Sequence, residues 1–244
     1  MSKTWYLTVF LLFCCCDFLR AQVPAWGGGA DQNDLSFGFT FSYLSSNYKI
    51  VKKPGWRSPF YDPGTNKYIT DSLNSITSSP MPGFAIGFIT RYRLSEHLEA
   101  RVTPSLVFAD RSIDYVYRTP SQNVTKQVQT TTVDLPFLLK LKSDRVGDFR
   151  AYMLGGFKYS TAIGSKLSSD AGADPLSKLV KNIHSYGSYE VGLGCDIYFE
   201  FFKLSPEIKL SNSIGNVLVP ENHPFSNPIS SLSLHTIMLS LYFE

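Results

Sequence analysis

The feature that most constrains this chain is an alternation of apolar and polar side chains with a period of two. It is cleanest near the C-terminus, within residues 229–244. One face there carries Ile237, Leu239, Leu241 and Phe243, and the other carries Thr236, Ser240 and Tyr242. Successive side chains of a β-strand point to opposite sides, so this period predicts a strand with one apolar and one polar face.

The same alternation returns along the chain. We predict strands within residues 36–43, 83–93, 99–108, 133–142, 149–163, 189–197, 203–210 and 229–244. An even number of strands with opposite apolar and polar faces is typical of barrels that span an outer membrane, where lipid and lumen lie on the two sides. The sequence therefore predicts an all-β fold, an eight-stranded antiparallel up-and-down transmembrane outer-membrane β-barrel.

Average hydropathy agrees with this interpretation. No apolar run after residue 22 approaches the ~18 residues of a membrane helix, and the mean hydropathy is −0.05. A barrel explains both values, because only every second residue of a strand faces lipid.

The first residues predict export from the cytoplasm. Lys3 precedes an apolar run from Leu7 to Cys16, and Ala21 offers a small residue for cleavage, so residues 1–21 are interpreted as a signal peptide. The alternative is a lipoprotein signal at Cys14 to Cys16. Residues 22–33 are expected to form a periplasmic N-terminal segment, and residues 34–244 the barrel. The mature chain keeps only Cys195 and has no internal disulfide.

The connections between predicted strands alternate between short and long. Long loops are expected at 49–81, 118–125, 164–181 and 214–228. In barrels of this kind short turns face the periplasm, so we expect both termini there, in a multi-pass protein of the cell outer membrane. The first loop is longer than closure requires and is interpreted as a partner contact; a simple solvated loop is the alternative. Its candidate contact residues are Trp56, Phe60, Tyr61 and Tyr68.

Charged residues in the strands fall on the polar, inward face. An eight-stranded barrel is only wide enough for side chains to fill, so paired charges are expected to plug the lumen. The predicted plug comprises Arg91, Arg93, Glu99, Arg101, Asp134, Lys140, Glu190, Asp196, Glu207 and Lys209. Pro104, Pro136 and Pro206 lie inside predicted strands and are expected to interrupt the ladder there.

The end of the chain carries a second candidate signal. Leu239, Leu241 and Phe243 close the apolar face of the last strand and are interpreted as an assembly signal for the outer membrane.

Sequence motifs for catalysis or cofactor binding are missing. No Gly-x-Ser-x-Gly motif is present, and the four histidines lack metal-ligand spacing. We therefore expect no catalytic, cofactor-binding or metal-binding residues, no small-molecule substrate, and a protein that is not an enzyme. A net charge of +3 gives no indication of a nucleic-acid partner.

Two segments carry a resemblance to known proteins. The Leu-Pro strand around Leu135 to Lys142 and the Gly155-Gly156 strand resemble small outer-membrane β-barrels of the Bacteroidota. The chain after Gln22, including Phe60 to Asp62, Pro82 to Phe88 and the Leu-Tyr-Phe-Glu end, is most similar to the PorT family of the type IX secretion system.

This resemblance implies an accessory or assembly barrel required for export of cargo with C-terminal signals, and for gliding motility in relatives. The implied partners are outer-membrane lipid and other type IX secretion components. The alternative is a generic OmpX-like surface barrel with an adhesive or envelope-structural role, and a small-solute pore is disfavoured by the charged lumen.

Overall fold

The computed structural model describes residues 33–163 and 174–244. The predicted signal peptide, nearly all of segment 22–33 and residues 164–173 of the third predicted loop lie outside the described residues. The strands are β1 (Leu35–Lys52), β2 (Tyr61–Asp62), β3 (Lys67–Tyr68), β4 (Leu73–Thr77), β5 (Met81–Arg93), β6 (Leu98–Val102), β7 (Ser105–Tyr117), β8 (Val124–Lys142), β9 (Phe149–Ile163), β10 (Ser185–Tyr198), β11 (Lys203–Ser213) and β12 (Ile229–Phe243).

Ten of these strands form a closed antiparallel barrel, and β2 and β3 form a separate hairpin. β1 pairs with β12 on one side and with β5 on the other, so the sheet has no free edge at that point. Two of the eight walls consist of two strands each, because β4 continues into β5 and β6 continues into β7. The prediction of an eight-stranded antiparallel barrel is confirmed.

The three prolines interrupt the barrel without reversing its faces. Pro104 separates β6 from β7, and the Pro136 carbonyl accepts a hydrogen bond from the Thr103 amide at 3.4 Å. The N and O atoms of a strand residue point toward the same neighbour. The donor that Pro136 lacks therefore faces the gap between β6 and β7. Pro206 lies within β11, beside a stretch where no pairing with Cys195 and Asp196 of β10 is present.

The loops differ from those expected from the sequence. β1 continues to Lys52, and β4 lies inside the predicted loop 49–81. The predicted loop 118–125 is only residues 118–123, including a 3-10 helix at Pro120–Gln122. The physical reason is that β7 and β8 stay paired as far as Tyr115 and Val124, and this end of the hairpin packs apolar side chains inward. We call this end of the barrel the loop end and the opposite one the turn end.

The interior has two chemically different layers. Charged side chains fill the turn end and the middle, whereas a hydrophobic cluster closes the loop end. This loop-end core contains Tyr48, Leu73, Ile76, Ile113, Tyr115, Tyr117, Val180, Val217, Leu218, Phe225, Ile229, Leu232 and Leu234. It unites strand residues with residues of loops 174–184 and 214–228.

The outer surface is a belt of exposed apolar side chains. Alternate residues of seven walls contribute to it, including Phe39, Phe41, Tyr43, Phe84, Phe88, Phe157, Leu193 and Leu239. The outward-facing residues of the eighth wall, β6 and β7, are only half-exposed. No helix in the described part of the chain is long and apolar enough to cross a membrane.

Candidate functional site

Nine of the ten charges predicted to fill the lumen point inward and are buried. Within each strand, inward-facing residues are separated by an even number of positions, as the alternation requires. They are Arg91, Glu99, Arg101, Asp134, Lys140, Glu190, Asp196, Glu207 and Lys209. Six further inward bases are also buried: Arg111, Lys126, Lys142, Arg150, Lys158 and Lys203.

Arg93 does not belong to this group. It is the last residue of β5, and its guanidinium turns to the rim, where it donates to the Asp34 carboxylate at 2.7 Å. Both side chains are partly exposed. The sequence predicted that the Arg93 side chain points inward, but β5 ends before this side chain is enclosed by the barrel.

At the turn end, Glu99 is the centre of the first group of charges. It accepts a hydrogen bond from Arg91 at 3.0 Å and contacts the ammonium group of Lys142. Arg91 also contacts Glu244, which lies 3.1 Å from Lys203. Glu244 was not predicted as part of the plug; its only sequence signal is that it follows the last strand residue, Phe243.

Two acidic residues anchor the middle of the lumen. Lys140 donates to both carboxylate oxygens of Asp196 at 2.8 Å. Glu207 accepts from Arg101 at 2.5 Å and from the hydroxyl of Tyr152 at 2.8 Å. Charge-assisted bonds of this kind offset the desolvation of both partners.

Lys158 is the centre of the group of charges that lies nearer the loop end. Its Nζ atom lies 3.1 Å from Asp134 and 2.9 Å from Glu190. Glu190 also lies 3.7 Å from Lys209, whose ammonium group donates to the Tyr242 hydroxyl at 2.9 Å. Lys140 also lies 3.8 Å from Glu99, and Lys209 lies 3.6 Å from Glu207, so the ion pairs form two networks. The Tyr152 side chain joins these networks, and we call them together the ion-pair ladder.

Aromatic rings fill space between the charges. The Lys140 ammonium lies 3.8 Å from the ring centre of Tyr152, and the Arg101 guanidinium lies 4.4 Å from that of Tyr242. Sequence reasoning placed Tyr242 on the polar face but gave neither tyrosine a role, since a cation–π contact depends on strand register. Buried cations gain from such contacts.

The three residues of the predicted assembly signal face outward. Leu239 and Leu241 are exposed on β12, and the ring of Phe243 stacks on Phe39 of β1 at 4.9 Å. Phe243 thus lies at the seam where the last strand meets the first.

The four predicted partner residues of the first loop are not equivalent. Phe60 is buried, so it supports the loop rather than offering a contact surface. Trp56 packs against the loop-end core beneath the ammonium group of Lys52. Tyr61 and Tyr68 are exposed, 46% and 71%, and face each other across the β2–β3 hairpin.

Residues 33–163 and 174–244 contain no group of three or more His, Cys, Asp or Glu side chains placed to hold a metal ion. The buried acids are instead bonded to lysines, arginines and hydroxyl groups, as described above.

The sequence matches the outer membrane protein β-barrel domain family over residues 21–219. The chain belongs to this family. Membership in the outer-membrane β-barrel domain family places the protein in the lipid bilayer of an outer membrane, with its exposed belt toward lipid. No curated protein sequence matches the chain significantly.

Solved outer-membrane barrels resemble this family member only distantly. OprG from Pseudomonas aeruginosa is 13% identical, with 86% of this chain and 91% of that chain covered and a TM-score of 0.43. Ail from Yersinia pestis is 11% identical, with 87% and 99% covered and a TM-score of 0.36. Neisserial surface protein A is 8% identical, with 86% and 98% covered and a TM-score of 0.40. The fold assignment rests on the strand pairings and the family match.

Proposed function

We propose that this barrel is an accessory or assembly component of the type IX protein secretion system, with both termini and the short turns in the periplasm. The observation that carries the proposal is the filled interior. Ion pairs occupy the lumen from Arg91 to Lys158, and the loop-end core covers it. A barrel without an open passage acts through its surfaces, as an accessory protein of a larger translocon does.

The resemblance of the mature chain to PorT supports the specific assignment. The alternative is a generic OmpX-like surface barrel, which acts through the same loops without a role in secretion. The two functions differ in what happens to cargo proteins when the barrel is lost.

The β2–β3 hairpin is the surface we propose for partner contact. The ring centres of Tyr61 and Tyr68 lie 5.4 Å apart at its base, and Asn66 adopts a positive φ of 53° in the turn between them. The Tyr61 hydroxyl donates to the Asn66 side chain at 3.1 Å. Two ordered, exposed aromatic rings are typical of residues that dominate protein interfaces.

The test compares three strains of the source organism: one lacking the protein, one carrying Tyr61→Ser with Tyr68→Ser, and one carrying Leu176→Ser. Leu176 is an exposed apolar residue of another loop and serves as the matched control. We expect the first two strains to accumulate cargo with C-terminal signals in the periplasm, and the control to export it normally. The measurement is the ratio of cargo in periplasmic and medium fractions, with barrel levels in the outer membrane checked in parallel.

Normal export from the deletion strain would exclude the secretion role and leave the surface barrel. If the deletion strain accumulates cargo but the double variant exports it normally, the partner contact lies on another surface.

A further inference from the structure

A small cavity lies inside the lumen, between the ion-pair ladder and the loop-end core. Asp134 and Lys158 of the ladder line one part of it, and Leu234 of the loop-end core lines another. The cavity has a volume of about 20 Å³. One particle of the size of a water molecule needs about 10–15 Å³, so the cavity has room for a single small occupant.

Arg111 of β7 also lines this cavity, and its charge is not balanced by the ladder. The side chain is 4% exposed, and its Nε atom donates to the Ser46 hydroxyl at 3.0 Å. The guanidinium also interacts with the hydroxyl of Tyr48, but its buried Nη1 atom has no hydrogen-bond partner within residues 33–163 and 174–244. No carboxylate of these residues forms a salt bridge with Arg111.

The neighbouring charges of the ladder balance one another. Lys158 lies between Asp134 and Glu190, and Glu190 also meets Lys209. Two bases and two acids thus cancel, which leaves Arg111 as the uncompensated charge beside the cavity. An arginine keeps its proton in proteins, so Arg111 does not relieve the cost of burial by becoming neutral.

Hydroxyl groups complete the polar lining of the cavity. Ser188, Ser211 and Ser213 all face it and are buried. The Ser213 Oγ atom accepts a hydrogen bond from the Leu234 amide at 2.7 Å, so its own proton remains available for donation. A guanidinium and hydroxyl donors around one small space form an environment that stabilises an anion.

We propose that this cavity binds one chloride ion, held by the Arg111 guanidinium and by the hydroxyls of Ser188 and Ser213. The ion supplies the negative charge that Arg111 lacks and is compact enough for the volume, whereas phosphate and organic acids are too large. A water molecule fits the same space, but it is neutral and leaves the buried guanidinium uncompensated. The site does not depend on the proposed role in secretion.

The first test locates the ion with bromide, a heavier halide that scatters X-rays anomalously. Crystals of the full mature protein are grown in sodium bromide, and data are collected at the bromine absorption edge. We expect an anomalous peak within hydrogen-bond distance of the Arg111 guanidinium. Density there without an anomalous signal would identify a water molecule and overturn the proposal.

The second test measures stability in solution. The protein in detergent micelles is unfolded with urea in sodium chloride or in sodium gluconate, whose anion is too large for the cavity, each at about 0.15 M. We expect chloride to raise the ratio of folded to unfolded protein about tenfold, as for a dissociation constant about ten times below the chloride concentration. Equal stability in the two salts would mean binding at crystal concentration only and would overturn the proposal.

Three variants assign the effect to this cavity. Arg111→Gln removes the charge, and Ser188→Val keeps Arg111 but replaces a lining hydroxyl by methyl groups; we expect both to lose the difference between chloride and gluconate. Arg93→Gln is the matched control, because Arg93 meets Asp34 at the rim and should leave the difference unchanged. A chloride effect that persists in Arg111→Gln and Ser188→Val would place the ion elsewhere and refute this site.

Discussion

At the scale of single residues, Arg91 and Arg93 show how burial changes the contribution of a charged side chain to stability. They lie two positions apart on the same strand, yet Arg91 is buried against Glu99 and Glu244 while Arg93 meets Asp34 at the rim. We expect Arg91→Ala to destabilise the barrel by about 3–5 kcal/mol, because buried acids lose a partner. Arg93→Ala should cost at most about 1 kcal/mol.

The measurement for both variants is the urea concentration at which half of the protein, refolded into vesicles, is unfolded. Unfolding is detected by the change in mobility on gels run without boiling the samples. Equal midpoints for the two variants would contradict a buried ion-pair ladder.

We expect His223 to make the stability of the loop end depend on pH. Its ring is buried, and its Nδ1 accepts a hydrogen bond from the Phe225 amide at 3.3 Å. Burial lowers the pKa of His223 to about 4. When the loop opens, the His223 imidazole regains its ordinary pKa of 6.5 and binds a proton more readily than in the closed loop. The contribution of His223 to the stability of the closed loop is therefore complete above pH 6.5 and falls as the pH drops toward 4.

We therefore expect residues 214–228 to exchange amide hydrogens faster at pH 5 than at pH 7.5, after correction for intrinsic rates. His223→Asn keeps an acceptor for the Phe225 amide but does not titrate, and should lose this pH dependence. The same dependence in the variant would assign the titration to another group.

At the scale of elements, the two glycines of β9 allow the effects of packing and of backbone flexibility on stability to be tested separately. A Cβ on Gly156 would lie 2.0 Å from the Phe137 carbonyl oxygen, whereas a Cβ on Gly155 would meet its nearest atom at 3.7 Å. We expect Gly156→Ala to destabilise the barrel by about 1–3 kcal/mol through overpacking. Gly155→Ala should be neutral or stabilise it by up to about 1 kcal/mol. Urea midpoints of both variants check this, and a milder effect at Gly156 would show that β8 and β9 can separate.

The last strand offers the second prediction at this scale. Phe243 stacks on Phe39 where β12 closes on β1. If Leu239, Leu241 and Phe243 form the assembly signal, Phe243→Asp should lower the amount of protein in the outer membrane. Phe201→Asp is the control, because Phe201 is 90% exposed in a turn outside the strands. Equal amounts of both variants in isolated outer membranes would remove the signal role from Phe243.

At the scale of the whole molecule, the ion-pair ladder and the loop-end core lie one above the other in the described part of the lumen. We infer that together they leave no continuous aqueous path. We expect the protein reconstituted in planar bilayers to show no steady conductance. A stable large channel in most insertions would contradict a filled barrel and favour a pore.

The sequence by itself determined the eight walls, their inward and outward faces, and the inward direction of nine predicted charges. These are local properties, because side-chain direction follows from the period of two along each strand. Only the tertiary structure decided which charges pair, since Arg101 of β6 and Glu207 of β11 lie on strands that are not neighbours and meet across the lumen of the closed barrel. It also decided where the enclosure ends: Arg93 lies at the rim and Phe60 is buried, because strand length and loop packing depend on contacts that no single segment contains.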